Sequence, residues 1–150
     1  MSGTDRDTVS VRQDMRLIGP GRMIVPLMAV WTYRRQDPYA VQVTFDADAG
    51  EPVNWVFDRD LLVAALHGPA GIGDVRAWPT VEPDPAAKRP GARKKIFNIA
   101  VGPPADRAHF EASAALIGAF LARAYELVPA GSESACLDFD DELTELLSQA

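Results

Sequence analysis

The chain has 150 residues, of which 47% are hydrophobic and 24% charged, so it can form one globular domain without a disulfide or metal. Its 21 acidic and 15 basic side chains give a net charge of −6, which disfavours non-specific binding to nucleic acid. A single cysteine excludes an intrachain disulfide. The polar, acidic start is unlike a secretory signal, and the longest uncharged apolar run, residues 23–32, is too short for a membrane helix. These features predict a cytoplasmic protein that reaches a membrane only through a partner.

The first third of the chain predicts a flexible tail over residues 1–7 followed by strands, within a single domain over residues 8–150. Apolar residues alternate with polar ones in four short segments separated by turn residues. The predicted strands are Val9–Leu17, Ile24–Tyr33, Tyr39–Phe45 and Val53–Phe57. Their connections are too short for parallel crossovers, so we expect an antiparallel meander.

The periodicity then changes to that of a helix. Asp58 is placed to accept hydrogen bonds from the free amides of a short helix whose apolar stripe runs over Leu61–Leu66. A strand is predicted at Val75–Trp78. Residues 80–95 are rich in proline and basic side chains, which predicts an exposed loop. Ile96–Val101 reads as another strand.

The last third predicts two helices. Residues 106–112 are ambiguous, because they alternate like a strand yet run smoothly into the helix that follows. Ser113 is placed to cap that helix, which extends to Leu127 and is apolar nearly all round, as in a helix buried on most sides or partly by another subunit. Acidic residues crowd the start of a final helix predicted over Asp138–Gln149, where the helix dipole favours them.

The glycine-rich segment resembles a phosphate-binding loop only superficially. Gly68, Gly71 and Gly73 are followed by Asp74, whereas a phosphate loop closes with Lys and Ser or Thr. A turn between helix and strand is the better interpretation. His67 and His109 are not at a metal-ligand spacing from each other or from a cysteine, so structural or surface roles are favoured over catalysis.

The remaining candidates for chemistry are weak as well. Cys136 has acidic neighbours, which act against a reactive thiolate. The carboxylates of residues 138–145 do not follow the EF-hand pattern, and helix capping explains them better. The basic run Lys88–Lys95 could contact phosphates, an anionic membrane surface or an acidic partner, although a solvated loop is the simpler interpretation. The sequence therefore predicts no catalytic residue, cofactor or metal.

Three stretches in the middle of the chain carry a family resemblance. Asp37–Val41, Trp55–Leu62 and His67–Pro79 are similar in order, content and spacing to the SsgA-like sporulation and cell-division proteins of actinomycetes. The similarity is dense over residues 37–79 and weaker over Ser113–Gly131. The proline-rich basic loop is a departure, because the family pattern implies a short connection there.

The resemblance implies a compact α+β fold of the Whirly and mitochondrial RNA-binding type, assembled as a homotrimer. In this fold an antiparallel meander is joined by a second hairpin, one short helix and two C-terminal helices. The resemblance also implies that residues 107–112 form a strand paired with residues 96–101.

The function implied by the resemblance is that of a non-enzymatic adaptor in sporulation-specific cell division. Such proteins position septum or cell-wall synthesis machinery at division septa, and SsgB-type members recruit the tubulin-like protein FtsZ, helped by SsgA-like relatives. The implied partners are therefore other copies of the chain, FtsZ or an SsgA-like relative, and no nucleic acid is expected. The alternative, favoured by the Whirly-like fold and the basic run, is a single-stranded nucleic-acid-binding module.

Partner contacts are predicted on the helix and loop beside the densest part of the resemblance. Polar residues in this segment are candidates for recognition because we expect them at the surface. The candidate contact residues are Arg59, Asp60, His67 and Arg76.

Overall fold

One antiparallel sheet organises the chain, which the computed structural model describes over residues 3–4, 7–45 and 52–135. The nine strands in these residues follow the order β5-β4-β3-β2-β9-β8-β7-β6, and β1 also pairs with β2. The strands are β1 (Gly3–Thr4), β2 (Thr8–Ile18), β3 (Ile24–Arg34), β4 (Ala40–Phe45), β5 (Val53–Asp58), β6 (Ala70–Ile72), β7 (Val75–Pro83), β8 (Arg93–Val101) and β9 (Ala108–Ser113). The helices are α1 (Arg59–Ala65) and α2 (Ala114–Leu127).

The predicted meander of β2 to β5 is confirmed. β2 and β3 pair over their full length, from Thr8 opposite Arg34 to Ile18 opposite Ile24. In β4, the buried residues Val41, Val43 and Phe45 alternate with half-buried ones, as expected for a strand with one face in the core.

The hairpin implied by the family resemblance is also present. β8 and β9 pair from Ile96 opposite Ser113 to Val101 opposite Ala108. This hairpin and the meander form one continuous sheet, because Arg16–Ile18 of β2 pair with residues 109–111 of β9. The segments that meet are more than 90 residues apart in the chain, so alternation along either strand could not reveal this junction.

The prediction of a loop over residues 80–95 is wrong at both ends, where residues 80–83 and 93–95 belong to strands. β7 continues to Pro83 and pairs in register with β8, which begins at Arg93, so that only residues 84–92 connect the two strands. The prolines are tolerated because β6 pairs with β7 only as far as Ala77. Beyond that residue β7 is an edge strand, where a missing N–H is least costly.

The predicted N-terminal tail also contributes to the sheet. Gly3 lies opposite Ser10 and Thr4 lies opposite Val9, so these residues form a short strand beside β2. The prediction of a free tail over residues 1–7 therefore does not hold for residues 3–4. The polar composition predicts a tail, and a strand of two residues is too short to show an alternation of apolar and polar residues.

α2 covers the inner face of the sheet and completes the core. Its buried residues include Ile117 and Phe120, and the ring of Phe120 lies edge-on to that of Trp31 with centroids 5.9 Å apart. The helix is less enclosed than its apolar sequence predicts, because Leu116 is 50% exposed. Further residues of the same helix that are exposed are Ala115, Ala119, Ala122 and Glu126. The predicted helix over Asp138–Gln149 lies outside the described residues, as does Cys136.

The predicted cap of α1 is observed and can be tested. Asp58 accepts hydrogen bonds from the backbone N–H groups of Asp60 at 2.8 Å and Leu61 at 3.3 Å. We expect Asp58→Ala to lower the free energy of unfolding by about 1 kcal/mol, because these amides lose their acceptor. Asp58→Asn should retain most of the stability. Urea denaturation of the three proteins at one concentration would contradict this role if both variants were equally destabilised.

Candidate functional site

Arg59, predicted to be exposed, is instead among the most buried side chains of the protein. Only 1% of it is accessible, so the prediction that it contacts a partner is wrong. Its position explains the error: Arg59 is the first residue of α1, and its side chain reaches the carboxyl end of α2. A charged residue is seldom fully buried unless it is paired, and this one is extensively paired.

The Arg59 guanidinium donates to acceptors on three parts of the chain. Nη1 donates to the hydroxyl of Tyr33 on β3 at 2.9 Å and to the carbonyl of Val128 at 2.7 Å. A longer bond of 3.3 Å reaches the carbonyl of Ala124. Nη2 donates to Oε1 of Glu133 at 2.6 Å. The Ala124 carbonyl also accepts from the backbone N–H of Val128 at 3.0 Å, so Arg59 adds a side-chain donor to the end of this helix.

Two tyrosine rings enclose the same guanidinium. Its carbon lies 3.8 Å from the ring centroid of Tyr125 and 5.1 Å from that of Tyr33, both within the range of cation–π attraction. The Tyr125 hydroxyl donates to Oδ1 of Asp60 at 2.7 Å. Burial, and then this hydrogen bond, raise the pKa of Tyr125 above its ordinary value. Asp60 is exposed, but its carboxylate already has an intramolecular donor.

Glu133 completes the network after the end of α2. The hydrogen bond from its own backbone N–H lowers the pKa of Glu133, and burial partly opposes this. The bond from Arg59 and a bond of 2.9 Å from the Gly131 N–H to Oε2 lower the pKa further. The carboxylate is therefore held in its charged form. We call Arg59, Tyr33, Tyr125, Asp60 and Glu133 the arginine cluster.

His67 and Arg76 are at the surface, as predicted. His67 follows α1, and the β6–β7 hairpin begins three residues later. Nη1 of Arg76 donates to the carbonyls of Gly73 and Val75, each at 3.1 Å. The guanidinium lies over Gly71, where a Cβ atom would approach Nη1 to 2.5 Å, so a side chain at residue 71 would displace it. Ile72, at the tip of the hairpin, is 61% exposed.

These residues define what we call the hairpin surface: His67, Ile72 and Arg76. It combines a cation, an imidazole and an exposed apolar side chain, a composition suited to protein contacts. The apolar member was missed from the sequence because Ile72 lies in a glycine-rich turn with no periodicity. Gly71 and Gly73 belong to the β6–β7 hairpin and Gly68 lies just before it, as the turn interpretation predicted.

His109 has a structural environment. Its Nε2 lies 2.9 Å from Oδ1 of Asn98, which is itself buried, and its ring centroid lies 5.2 Å from that of Trp78. Burial lowers the pKa of His109 below its ordinary value, and the nearby carboxylate of Glu111 only partly offsets this. The imidazole is therefore neutral at physiological pH and joins neighbouring strands. Within the described ranges, no group of three His, Cys, Asp or Glu side chains is placed to bind a metal ion.

No helix in the described part of the chain has the length and apolar character needed to span a membrane. The basic run divides into two parts. Lys88 and Arg89 lie in the connection between β7 and β8, whereas Arg93, Lys94 and Lys95 begin β8 and are exposed.

Comparison with known proteins gives a consistent result over nearly the whole chain. The sequence model of a family described as "Streptomyces sporulation and cell division protein, SsgA" matches residues 27–133. The sporulation-specific cell division protein SsgB of Thermobifida fusca is 40% identical over 147 residues, covering 98% of both chains. SsgB of Streptomyces coelicolor is 38% identical over 143 residues, covering 95% of this chain and 98% of that protein.

Solved structures agree with the sequence comparison. The crystal structure of an SsgA-like sporulation-specific cell division protein from Thermobifida fusca superposes with a TM-score of 0.81 at 38% identity. The match covers 95% of this chain and 98% of that one. A second structure comes from work on SsgB mutations and longitudinal cell division in Streptomyces coelicolor. It superposes with a TM-score of 0.73 at 38% identity, and the match covers 89% of this chain and 99% of that one.

The arginine cluster predicts a large loss of stability when its cation is removed. We expect Arg59→Met to lower the free energy of unfolding by about 3 kcal/mol or more, because buried acceptors lose their donor. Arg12→Met is the matched control, since Arg12 is exposed on β2, and it should change stability by no more than about 0.5 kcal/mol. Urea denaturation measures both.

A second variant separates the contribution of the Arg59–Glu133 ion pair to stability from that of side-chain packing. Adding Glu133→Gln to Arg59→Met should restore part of the lost stability, because no unpaired carboxylate then remains beside the tyrosine rings. If the double variant unfolded at a lower urea concentration than Arg59→Met, the ion pair would not be the dominant contact.

Proposed function

Because this chain belongs to the SsgA family of sporulation and cell division proteins, we propose that it is a non-enzymatic adaptor that positions septum or cell-wall synthesis machinery. The observation that carries the proposal is the near full-length similarity to relatives named for sporulation-specific cell division. The residues matched by the family model, 27–133, include every residue of the arginine cluster. Similarity over the part of the chain that builds this framework supports a shared role.

The adaptor role requires contacts with other proteins, and the hairpin surface supports one of them. We propose that His67, Ile72 and Arg76 contact FtsZ or an SsgA-like relative. Arg76 is oriented by the hairpin backbone, and the exposed Ile72 gives an apolar centre beside it. Asp60 contributes less to this surface, because its carboxylate accepts from Tyr125.

We further propose that the chain assembles as a homotrimer with a Whirly-like fold, through the outer face of α2. This face carries Leu116, which is half exposed, together with three exposed alanines and no charged side chain until Arg123. An apolar helix face of this kind is usually covered in a stable assembly.

The adaptor role predicts a defined location in the cell. A fluorescent fusion, imaged together with FtsZ in a sporulating actinomycete, should form rings or foci at future septa at or before the arrival of FtsZ. A septal signal that appears only after FtsZ would instead indicate a later step in wall synthesis. Uniform fluorescence throughout sporulation would contradict the adaptor role.

A variant of the hairpin surface tests the proposed contact. Ile72→Ser combined with Arg76→Glu should abolish the septal signal while leaving the protein folded, because both side chains are exposed. Arg12→Glu makes the same charge change on β2 and should localise normally. Equal localisation of the two variants would exclude the hairpin surface as the contact.

The proposed trimer can be tested by light scattering on the purified chain. We expect one species with the mass of three chains, and Leu116→Glu should convert it to monomers because it places a charge on the apolar face of α2. Val56→Glu is the control, since Val56 is 63% exposed on the edge strand β5, and it should remain trimeric. A wild-type protein that is monomeric at all concentrations would contradict the assembly.

A further inference from the structure

A groove opens where two strands of the sheet separate. β2 and β9 pair only through Arg16–Ile18 and residues 109–111, and beyond Glu111 the strand β9 runs into α2. The gap between them is an open groove of about 810 Å³. This volume falls within the range of about 300–1,000 Å³ found for ligand sites in proteins.

The groove is lined by apolar and by basic residues. Its apolar lining, here called the floor, comes from β2, β3 and β8, namely Met15, Leu27, Met28 and Ile96. Its basic lining includes the cations at the start of β8, namely Arg93, Lys94 and Lys95. The groove therefore offers buried apolar area and positive charge side by side.

The charge of the groove is opposite to that of the whole protein. Its lining contains four cations and two carboxylates, whereas the chain carries a net charge of −6. The amino end of α2 adds to the positive potential, because Ser113 and Ala115 line the groove and the first turn of the helix contains no acidic residue.

Two of the four cations have only long contacts and can turn to a ligand. Arg16 is paired with Glu111 at 2.7 Å and with Glu82 at 3.4 Å, and Lys95 donates to the carbonyl of Leu66. Lys94 is 42% exposed, and its ion pair with Oε1 of Glu82 is long, at 3.7 Å. The guanidinium of Arg93 makes one long bond of 3.5 Å, to the carbonyl of Val81.

We propose that this groove binds an acidic peptide segment of a partner protein. Carboxylates of the peptide lie against Arg93 and Lys94, and apolar side chains between them occupy the floor. Charge complementarity selects an anionic partner, and the floor selects one with apolar groups. A nucleic-acid strand fits less well, because the apolar residues of the lining give no cation to a continuous row of phosphates.

The proposal is tested with a probe of the stated chemistry. A fluorescein-labelled peptide in which glutamates alternate with leucines is titrated with the full chain, and binding is followed by fluorescence anisotropy at low salt. We expect saturable binding that weakens about tenfold or more in the variant Arg93→Gln/Lys94→Gln, because the two available cations are lost. Added salt should weaken binding to the wild-type protein.

The matched control is Lys88→Gln/Arg89→Gln, which removes the same charge in the β7–β8 connection, outside the groove. This variant should bind the peptide like the wild type. A peptide with serine in place of leucine should bind more weakly, because it leaves the apolar floor unfilled.

Three results would overturn the proposal. The first is the absence of saturable binding at low salt. The second is an equal loss of affinity in both double variants, which would indicate attraction by the general charge. The third is displacement of the peptide by single-stranded oligothymidylate at equal or lower concentration, which would identify the groove as a nucleic-acid site. None of these results bears on septal localisation, so this proposal can fail while the adaptor role stands.

Discussion

The burial of one cation, Arg59, connects the parts of this protein that are far apart in sequence. Its guanidinium joins β3, the carboxyl end of α2 and the segment around Glu133, and it lies between the rings of Tyr33 and Tyr125. Removing a charge from water is costly, and here several hydrogen bonds and two aromatic faces offset that cost. Only arginine has enough donors in a planar fork to meet acceptors in several directions at once.

The same network explains the charged triplet at the start of α1. Asp58 caps the helix, Arg59 turns into the protein, and Asp60 accepts from Tyr125. These three residues lie in a stretch that resembles the SsgA-like family. Asp58 and Arg59 serve the architecture of the fold, whereas Asp60 combines its bond from Tyr125 with an exposed position.

The meander, the cap of α1 and the start of α2 could be predicted because they depend on periodicity and local hydrogen bonding. The junction between β2 and β9 could not be predicted, because the periodicity of a strand does not indicate which distant strand it pairs with. The extension of β7 was missed because Pro79 and Pro83 normally interrupt strands, and their edge position is a property of the sheet as a whole. The burial of Arg59 could not be predicted, because its hydrogen-bond partners come from β3, α2 and Glu133, which are distant in the sequence. The groove was missed for the same reason as the junction that creates it.

The junction between β2 and β9 also determines the order in which the parts of the protein can fold. β2 to β5 pair with sequential neighbours, so this meander can form while the rest of the chain is still being synthesised. Its inner face, with Trp31, Val41 and Val43, stays uncovered until α2 emerges from the ribosome some 70 residues later. The two halves of the sheet become continuous only when β9 pairs with β2. This late, non-local step should set the folding rate. Throughout that interval the nascent chain presents an apolar sheet face to the cell, so its yield depends on protection from aggregation during translation.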